Sequence, residues 1–153
     1  MREQAGLKKL LLGCGHEDRK GWEHHDLARH SDHVAVGHDL EKRPWPWDDN
    51  SAEEIAALDL LEHLGDTVAF MDECWRILAP GGTLTVRVPD WRSGNAWIDP
   101  THRRAFCAQT FRYFELGSEE WNAYGHLYTT RPWRIVFLDA GDNITCVLRP
   151  VKA

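Results

Sequence analysis

The chain has 153 residues, 42% hydrophobic and 27% charged. These values exclude a disordered chain and suit one folded domain over residues 1–153. The net charge of −6 argues against a general nucleic-acid binder, which needs a basic surface, and no apolar run approaches the ~18 residues that span a bilayer.

In chain order, Lys8-Lys9 followed by Leu10-Leu11-Leu12-Gly13-Cys14 imitates a lipoprotein cleavage signal. The leucine run falls short of the ~7–15 apolar residues of a signal peptide. Cys14, Cys74, Cys107 and Cys146 form no CxxC pair and are expected as reduced thiols of a cytoplasmic protein. Residues 8–12 read as a buried strand ending in the turn Gly13-Cys14-Gly15. Residues 22–25 read as a second strand ending at Asp26, 34–36 as a third ending at His38-Asp39, and 55–58 as a fourth ending at Asp59. Their apolar character suits a parallel sheet covered on both faces.

Asp66 is a candidate N-cap for a helix with Val68, Met71, Trp75 and Leu78 on one face, stopped by Pro80-Gly81-Gly82. Residues 83–88 alternate as a fifth strand ending at Pro89-Asp90. A second helical region is expected over 101–116, where Phe106, Phe111, Tyr113 and Phe114 fall. Residues 134–138 and 144–148 form a hairpin through Ala140-Gly141-Asp142-Asn143. The pattern predicts an α/β fold, a mostly parallel sheet with a C-terminal antiparallel hairpin.

In such sheets ligands bind outside the carboxyl ends of the strands. A glycine turn brings backbone N–H groups close to an anion, and a carboxylate ending the next strand accepts ribose hydroxyls. The third glycine of the dinucleotide fingerprint is missing, and Asp26 follows Gly15 sooner than the ~20 residues that fingerprint requires. A nucleoside ligand with an amino-acid carboxylate fits better than a pyrophosphate.

Leu11-Leu12-Gly13-Cys14-Gly15, Gly21-Trp22, His25-Asp26, His38-Asp39-Leu40, Asp59-Leu60-Leu61-Glu62-His63-Leu64, Arg76-Ile77-Leu78-Ala79-Pro80-Gly81-Gly82, Val88-Pro89-Asp90 and Asp99-Pro100-Thr101-His102-Arg103 occur in this order. Together they resemble the class I S-adenosylmethionine-dependent methyltransferases over roughly residues 7–116. The resemblance implies a Rossmann-like fold with a cofactor half at about 7–90, an acceptor-side segment at about 91–133 and a closing hairpin at about 134–149. It implies S-adenosyl-L-methionine as cofactor and S-adenosyl-L-homocysteine as product. Gly13, Cys14 and Gly15 would lie along the methionine and ribose, and Asp26 would take the ribose hydroxyls. Asp39 and Leu40 would flank the adenine, Asp59 and Leu60 would lie beside the methyl group, and His63 and Asp90 would border the acceptor's entrance. The segments 13–21 and 27–33 are shorter than the ~10–12 residues of a usual crossover. Abbreviated first crossovers and no helical cap before the first strand are therefore expected.

Glu62-His63 reads either as a helix start with a satisfied histidine or as part of the chemistry. Asp99-Pro100-Thr101-His102 reads either as a turn and N-cap or as an active-site wall with His102 as general base. His63 and His102 are thus the catalytic candidates. Six of the nine histidines, His16, His24, His25, His30, His33 and His38, crowd the first quarter of the chain. Their spacing fits no zinc motif, so no metal site is expected. Trp45, Trp47, Trp91, Trp97 and Trp121 fall in expected loops and are candidates to line or lid the pocket. Acidic residues concentrate before residue 87 and basic ones slightly exceed them after it, which suits a cationic cofactor and a small-molecule or glycan-like acceptor. A non-catalytic cofactor-binding module or partner subunit is the alternative; a homo-oligomer is a further expected association, and membrane and nucleic-acid partners are not expected.

Overall fold

β1 (Lys8–Leu12) sits inside a seven-stranded sheet of order β3-β2-β1-β4-β5-β7-β6 in the computed structural model, which describes residues 6–153. It runs parallel to β2 (Glu23–Asp26) on one side and β4 (Ala52–Leu58) on the other. β3 (Val34–Gly37) extends the parallel sheet beyond β2, and β5 (Leu78–Pro89) beyond β4. β6 (Trp133–Ala140) and β7 (Asn143–Pro150) form the expected antiparallel hairpin, with β7 against β5. The fold is α/β and Rossmann-like.

Successive β-residues point to opposite faces, and the two faces differ. Leu10 and Leu12 of β1, Ile55 and Ala57 of β4, Leu84, Val86 and Val88 of β5, and Ile144, Cys146 and Leu148 of β7 share one core. That core is covered by α1 (Thr67–Ile77), which buries Phe70, Met71, Cys74 and Ile77. The opposite face holds a small cluster of Leu11, Cys14, Val34 and Ala56 with Trp22 packed against it, and no member of the cluster lies on a helix. In register across that face stand Leu11, Ala56, Thr85, Val147 and Phe137. They pass from buried at Leu11 to 53% exposed at Phe137. Parallel sheets are normally buried on both sides; here the outward residues of β5, Thr83, Thr85 and Arg87, are polar and half-buried.

The helix begins as expected, with Asp66 accepting the Ala69 N–H at 2.9 Å. Its buried face is rotated from the expected one: Val68 and Trp75 are only half-buried, and Leu78 already belongs to β5. The helix stops because Leu78 turns extended and pairs with Ala52. Pro80-Gly81-Gly82 therefore bulges within β5. A Cβ on Gly82 would meet the Ala79 and Glu53 carbonyls at 3.0 and 3.1 Å, so this bulge requires glycine.

The expected helix over 101–116 shrinks to α3 (Ala108–Arg112), preceded by the short α2 (Asn95–Ile98). Tertiary partners take the backbone groups instead. The Arg103 N–H donates to the Glu62 carbonyl at 2.7 Å, and the Phe106 carbonyl accepts the Trp91 N–H at 2.8 Å.

Segments 13–22, 27–33 and 38–51 connect the first four strands without a helix among the described residues. Where a crossover helix would cover the sheet before β4, Trp45 and Trp47 do so, 3% and 4% exposed, with Trp45 edge-on to Phe70 at 5.6 Å between ring centroids. These two are core residues and not a pocket lid. Arg76 and Glu73 of α1 hold the loop: Arg76 donates to the Trp45 and Trp47 carbonyls, and Glu73 accepts the Trp45 N–H at 2.7 Å.

Truncating a buried tryptophan costs about 3–5 kcal/mol, whereas surface substitutions stay within about 0.5 kcal/mol. Urea unfolding should accordingly show Trp45→Ala losing that larger amount, and Trp97→Ala, at an exposed position, losing almost nothing.

Candidate functional site

At the carboxyl ends of β1, β2, β3 and β4 lies a cavity of about 240 Å³ lined by Gly13, His25, Asp26, Asp39, Leu40, Leu60, His63 and Arg103, among others. Six of its lining residues are sequence-stated candidates brought together from four separate stretches: Gly13, Asp26, Asp39, Leu40, Leu60 and His63. A larger hollow of about 450 Å³, between the start of α1 and residues 104–128, has no carboxylate in its lining.

Gly13 takes φ +61°, a left-handed conformation that glycine tolerates best. A Cβ there would also meet Leu60 Cδ1 at 2.9 Å, so the turn and the fourth strand's end approach as closely as glycine allows. Gly15 is likewise left-handed, with open space where its Cβ would be.

The N–H groups of this turn are all used within the protein. Gly13 donates to His25 Nδ1 at 3.2 Å, Cys14 to the His25 carbonyl at 2.8 Å, and Gly15 to Asp26 Oδ2 at 2.9 Å. The expected role of these N–H groups as an anion cradle is thereby corrected: the turn supplies shape, not donors. Cys14 itself packs into the small opposite-face cluster and is 7% exposed.

Asp26 is fixed in place. Its oxygens accept the Leu27 N–H at 2.7 Å, the Gly15 N–H, and His30 Nε2 at 3.0 Å. Burial raises its pKa, but these three bonds outweigh burial and hold the carboxyl below the usual range. A carboxylate has roughly four lone-pair directions, so one stays open, and the bond from the half-exposed His30 is the one that a ligand hydroxyl can replace. Asp39 has Oδ1 committed to the Glu41 N–H at 3.0 Å.

Asp59 does not face the cavity. Its backbone is left-handed at φ +56°, and its carboxylate pairs with Arg87 Nη2 at 2.5 Å; Leu60 alone carries this strand end into the lining. Asp90 is also displaced from the entrance: it is 1% exposed and accepts the N–H and Nε of Arg92.

Beside the cavity, Glu62 and His63 lie on a single 3-10 turn (Leu61–His63), with His102 against them. The His63 and His102 rings meet edge-on, 4.7 Å apart at their centroids. Burial pushes the Glu62 carboxyl up to about 7. His63 lies below the usual imidazole value, through burial and then the neighbouring His102. None of the five tryptophans expected to line or lid the pocket lines the cavity; Trp121 is 8% exposed, and Trp91 and Trp97 face solvent.

Sequence reasoning missed His25. It is 2% exposed, accepts the Gly13 N–H through Nδ1, and so donates from Nε2 to the His38 carbonyl at 2.8 Å. Its one available signal was position, the residue before the strand-ending Asp26. Arg103, the permanent cation in the lining, appears in the sequence reading only as the end of the Asp99–Arg103 motif, with no role attached.

Residues 20–86 match the family model described as a methyltransferase domain. A probable S-adenosylmethionine-dependent methyltransferase of Mycolicibacterium smegmatis is 38% identical over 45 residues, which are 29% of this chain. The match spans 18% of that relative's length. A chain from the Haloferax volcanii complex of the Trm112 methyltransferase activator with a methyltransferase superposes with a TM-score of 0.67 at 14% identity, over 95% of this chain and 85% of its own. A SAM-dependent methyltransferase of Archaeoglobus fulgidus gives 0.65 at 12% identity, over 95% and 86%. No helix among the described residues is long and apolar enough to cross a membrane.

The Gly13 bond requires neutral His25, and burial holds this imidazole below 6.5, outweighing the His38 carbonyl and Asp26, which favour its charged form. A depressed folded pKa gives stability that is complete above the unfolded value and lost as pH falls through the folded one. The urea midpoint should therefore drop on acidification below about pH 6.5. His25→Gln should be less stable at pH 7.5 with a flatter profile, and the difference between the two curves reports His25.

Proposed function

We propose that this chain, whose fold and cofactor-half sequence are those of the class I S-adenosylmethionine-dependent methyltransferases, binds S-adenosylmethionine in the cavity at the strand ends and methylates a small-molecule or glycan-like acceptor. The observation that carries the reading is the convergence of Gly13, Asp26, Asp39, Leu40 and Leu60 on one cavity. Bound there, the cofactor supplies a methyl carbon on a sulfonium and leaves as S-adenosylhomocysteine.

Asp26 takes a ribose hydroxyl on its open lone pair and a second one in place of His30. The space above Gly15 admits the nucleoside close to the backbone. Asp39 and Leu40 flank the adenine. Because the turn's N–H groups are consumed internally, Arg103 holds the carboxylate of the methionine moiety. Leu60 packs beside the reacting carbon, where exclusion of water and alignment matter most for a displacement that disperses charge. His63 and His102 stand at the acceptor end.

The helix-free crossovers favour one other reading, a cofactor-binding subunit without turnover. A methyl-transfer assay separates the two: cofactor binding without methyl loss across a broad acceptor screen selects the subunit.

Thermal melts with S-adenosylmethionine, S-adenosylhomocysteine and NAD test the site. At 100 times Kd a ligand adds about 2.7 kcal/mol, worth several degrees at this chain length. Both sulfur nucleosides should give that rise and NAD none; no rise with either rejects the reading. Hydrogen bonds to charged groups contribute about 1.5–3 kcal/mol, so Asp26→Asn and Arg103→Met should each weaken the cofactor by roughly ten- to hundred-fold.

A further inference from the structure

We propose that Glu62, His63 and His102 form a binding site for a divalent transition-metal ion of the zinc class. The case starts from Glu62. The residue is 1% exposed, and among the described residues neither carboxylate oxygen has a hydrogen-bond partner. The one basic group within 4 Å among the described residues, His102 Nε2, lies 3.9 Å from Oε1, too far for a hydrogen bond. A buried carboxylate in that condition calls for a specific cause, a bound ion among them.

The hydrogen-bond network leaves a lone pair on Nε2 of both imidazoles. His102 Nδ1 lies 3.1 Å from the Ala96 carbonyl, which can only accept, so Nδ1 carries the proton and Nε2 a lone pair. His63 Nδ1 lies 2.8 Å from Thr101 Oγ1, and that hydroxyl spends its proton on Asp99 Oδ1 at 2.7 Å. His63 therefore also donates from Nδ1 and keeps Nε2 free. One donor atom from each of the three residues lies within 4.8 Å of the others. One possible ligand atom from each residue thus sits in a single cluster, and among the described residues no proton donor is bonded to the carboxylate.

A cation resolves this arrangement. Two imidazoles and one carboxylate are a ligand set of catalytic zinc sites, which leave a further position open, and imidazole pairs select zinc, cobalt, nickel or iron over magnesium or calcium. Bonds of about 2.0–2.2 Å put neighbouring ligand atoms roughly 3–3.5 Å apart, so the Glu62–His102 pair closes by less than an ångström. Protons on the far nitrogens, given to a carbonyl and to a hydroxyl–carboxylate relay, are the outer contacts that orient metal-binding histidines. His102 becomes a ligand and not a general base. His63 also lines the cavity, so the open position faces the acceptor end, where an acceptor with an oxygen donor such as a hydroxyl would bind. That use rests on the methyltransferase reading; the metal binding does not.

The test uses the full chain, dialysed against chelator and titrated with Co²⁺ without cofactor, followed by visible d–d absorption and by calorimetry with Zn²⁺. One ion should bind per chain, with the bands lost in Glu62→Gln. Thr101→Val, at an outer contact, should weaken binding about 10–100-fold, and remains decisive if Glu62→Gln does not fold. His30→Asn/His33→Asn should bind as wild type, excluding the surface histidines. Absence of bands with no Zn²⁺ binding up to millimolar concentration, or binding unchanged in Thr101→Val and His63→Gln, overturns the proposal. S-adenosylmethionine binding, measured separately on the same samples, tells its failure apart from failure of the methyltransferase reading.

Discussion

The imidazole of His25 is the constraint on which the site depends. It accepts from the end of β1 and donates to the residue after β3, so one buried ring ties three strand ends at fixed distances. With its Nδ1 occupied by Gly13 and its backbone carbonyl by Cys14, the glycine turn is locked before any ligand arrives. Gly15 then positions Asp26. A cavity preset in this way spends little binding energy on ordering its walls.

The same economy governs the scaffold. Among the described residues one face of the sheet carries the large packed layer, built from α1, the two loop tryptophans and aromatic residues such as Phe106 and Phe111. Arg76 stitches that layer together, bridging Glu73, Asp49 and the carbonyls of the tryptophan loop. The opposite face manages with Trp22, flanked by the cations of Lys9 and Arg19 at 6.0 and 4.8 Å from its ring. Outward threonines and Arg87 make solvent contact tolerable there, which is why β5 alternates while β1 ends in three consecutive buried leucines.

Strand positions were legible because short apolar runs ended by glycine or aspartate have few other interpretations. The cavity residues were legible for a related reason, since parallel strands deliver their carboxyl ends to one edge. What failed was whatever depended on side-chain direction or on tertiary competition for the backbone. Asp59 occupies its expected place, yet a left-handed backbone turns its carboxylate onto Arg87. The aromatic content of 101–116 suggested a helix, but Arg103 and Phe106 bond to distant segments. Trp45, Trp47 and Trp91 lie in loops as expected, whereas Trp97 falls on α2 and Trp121 starts a helical turn; burial of those at 45 and 47 could not be read from polar neighbours such as Asp48 and Asp49. Glu62 stood out in the sequence only as the neighbour of His63, because a carboxylate's lack of partners is a property of three dimensions.

The connections between β1, β2 and β3 also set how the sheet can assemble. Parallel pairing usually requires closing a loop long enough to contain a helix, and closure entropy grows with loop length. Segments 13–22 and 27–33 bring their strands side by side over short sequence separations. The strands that frame Asp26 are thus local in the chain, as hairpins are. The pairings of β1 with β4 and of β5 with β7 carry most of the topological delay that slows folding of non-local sheets.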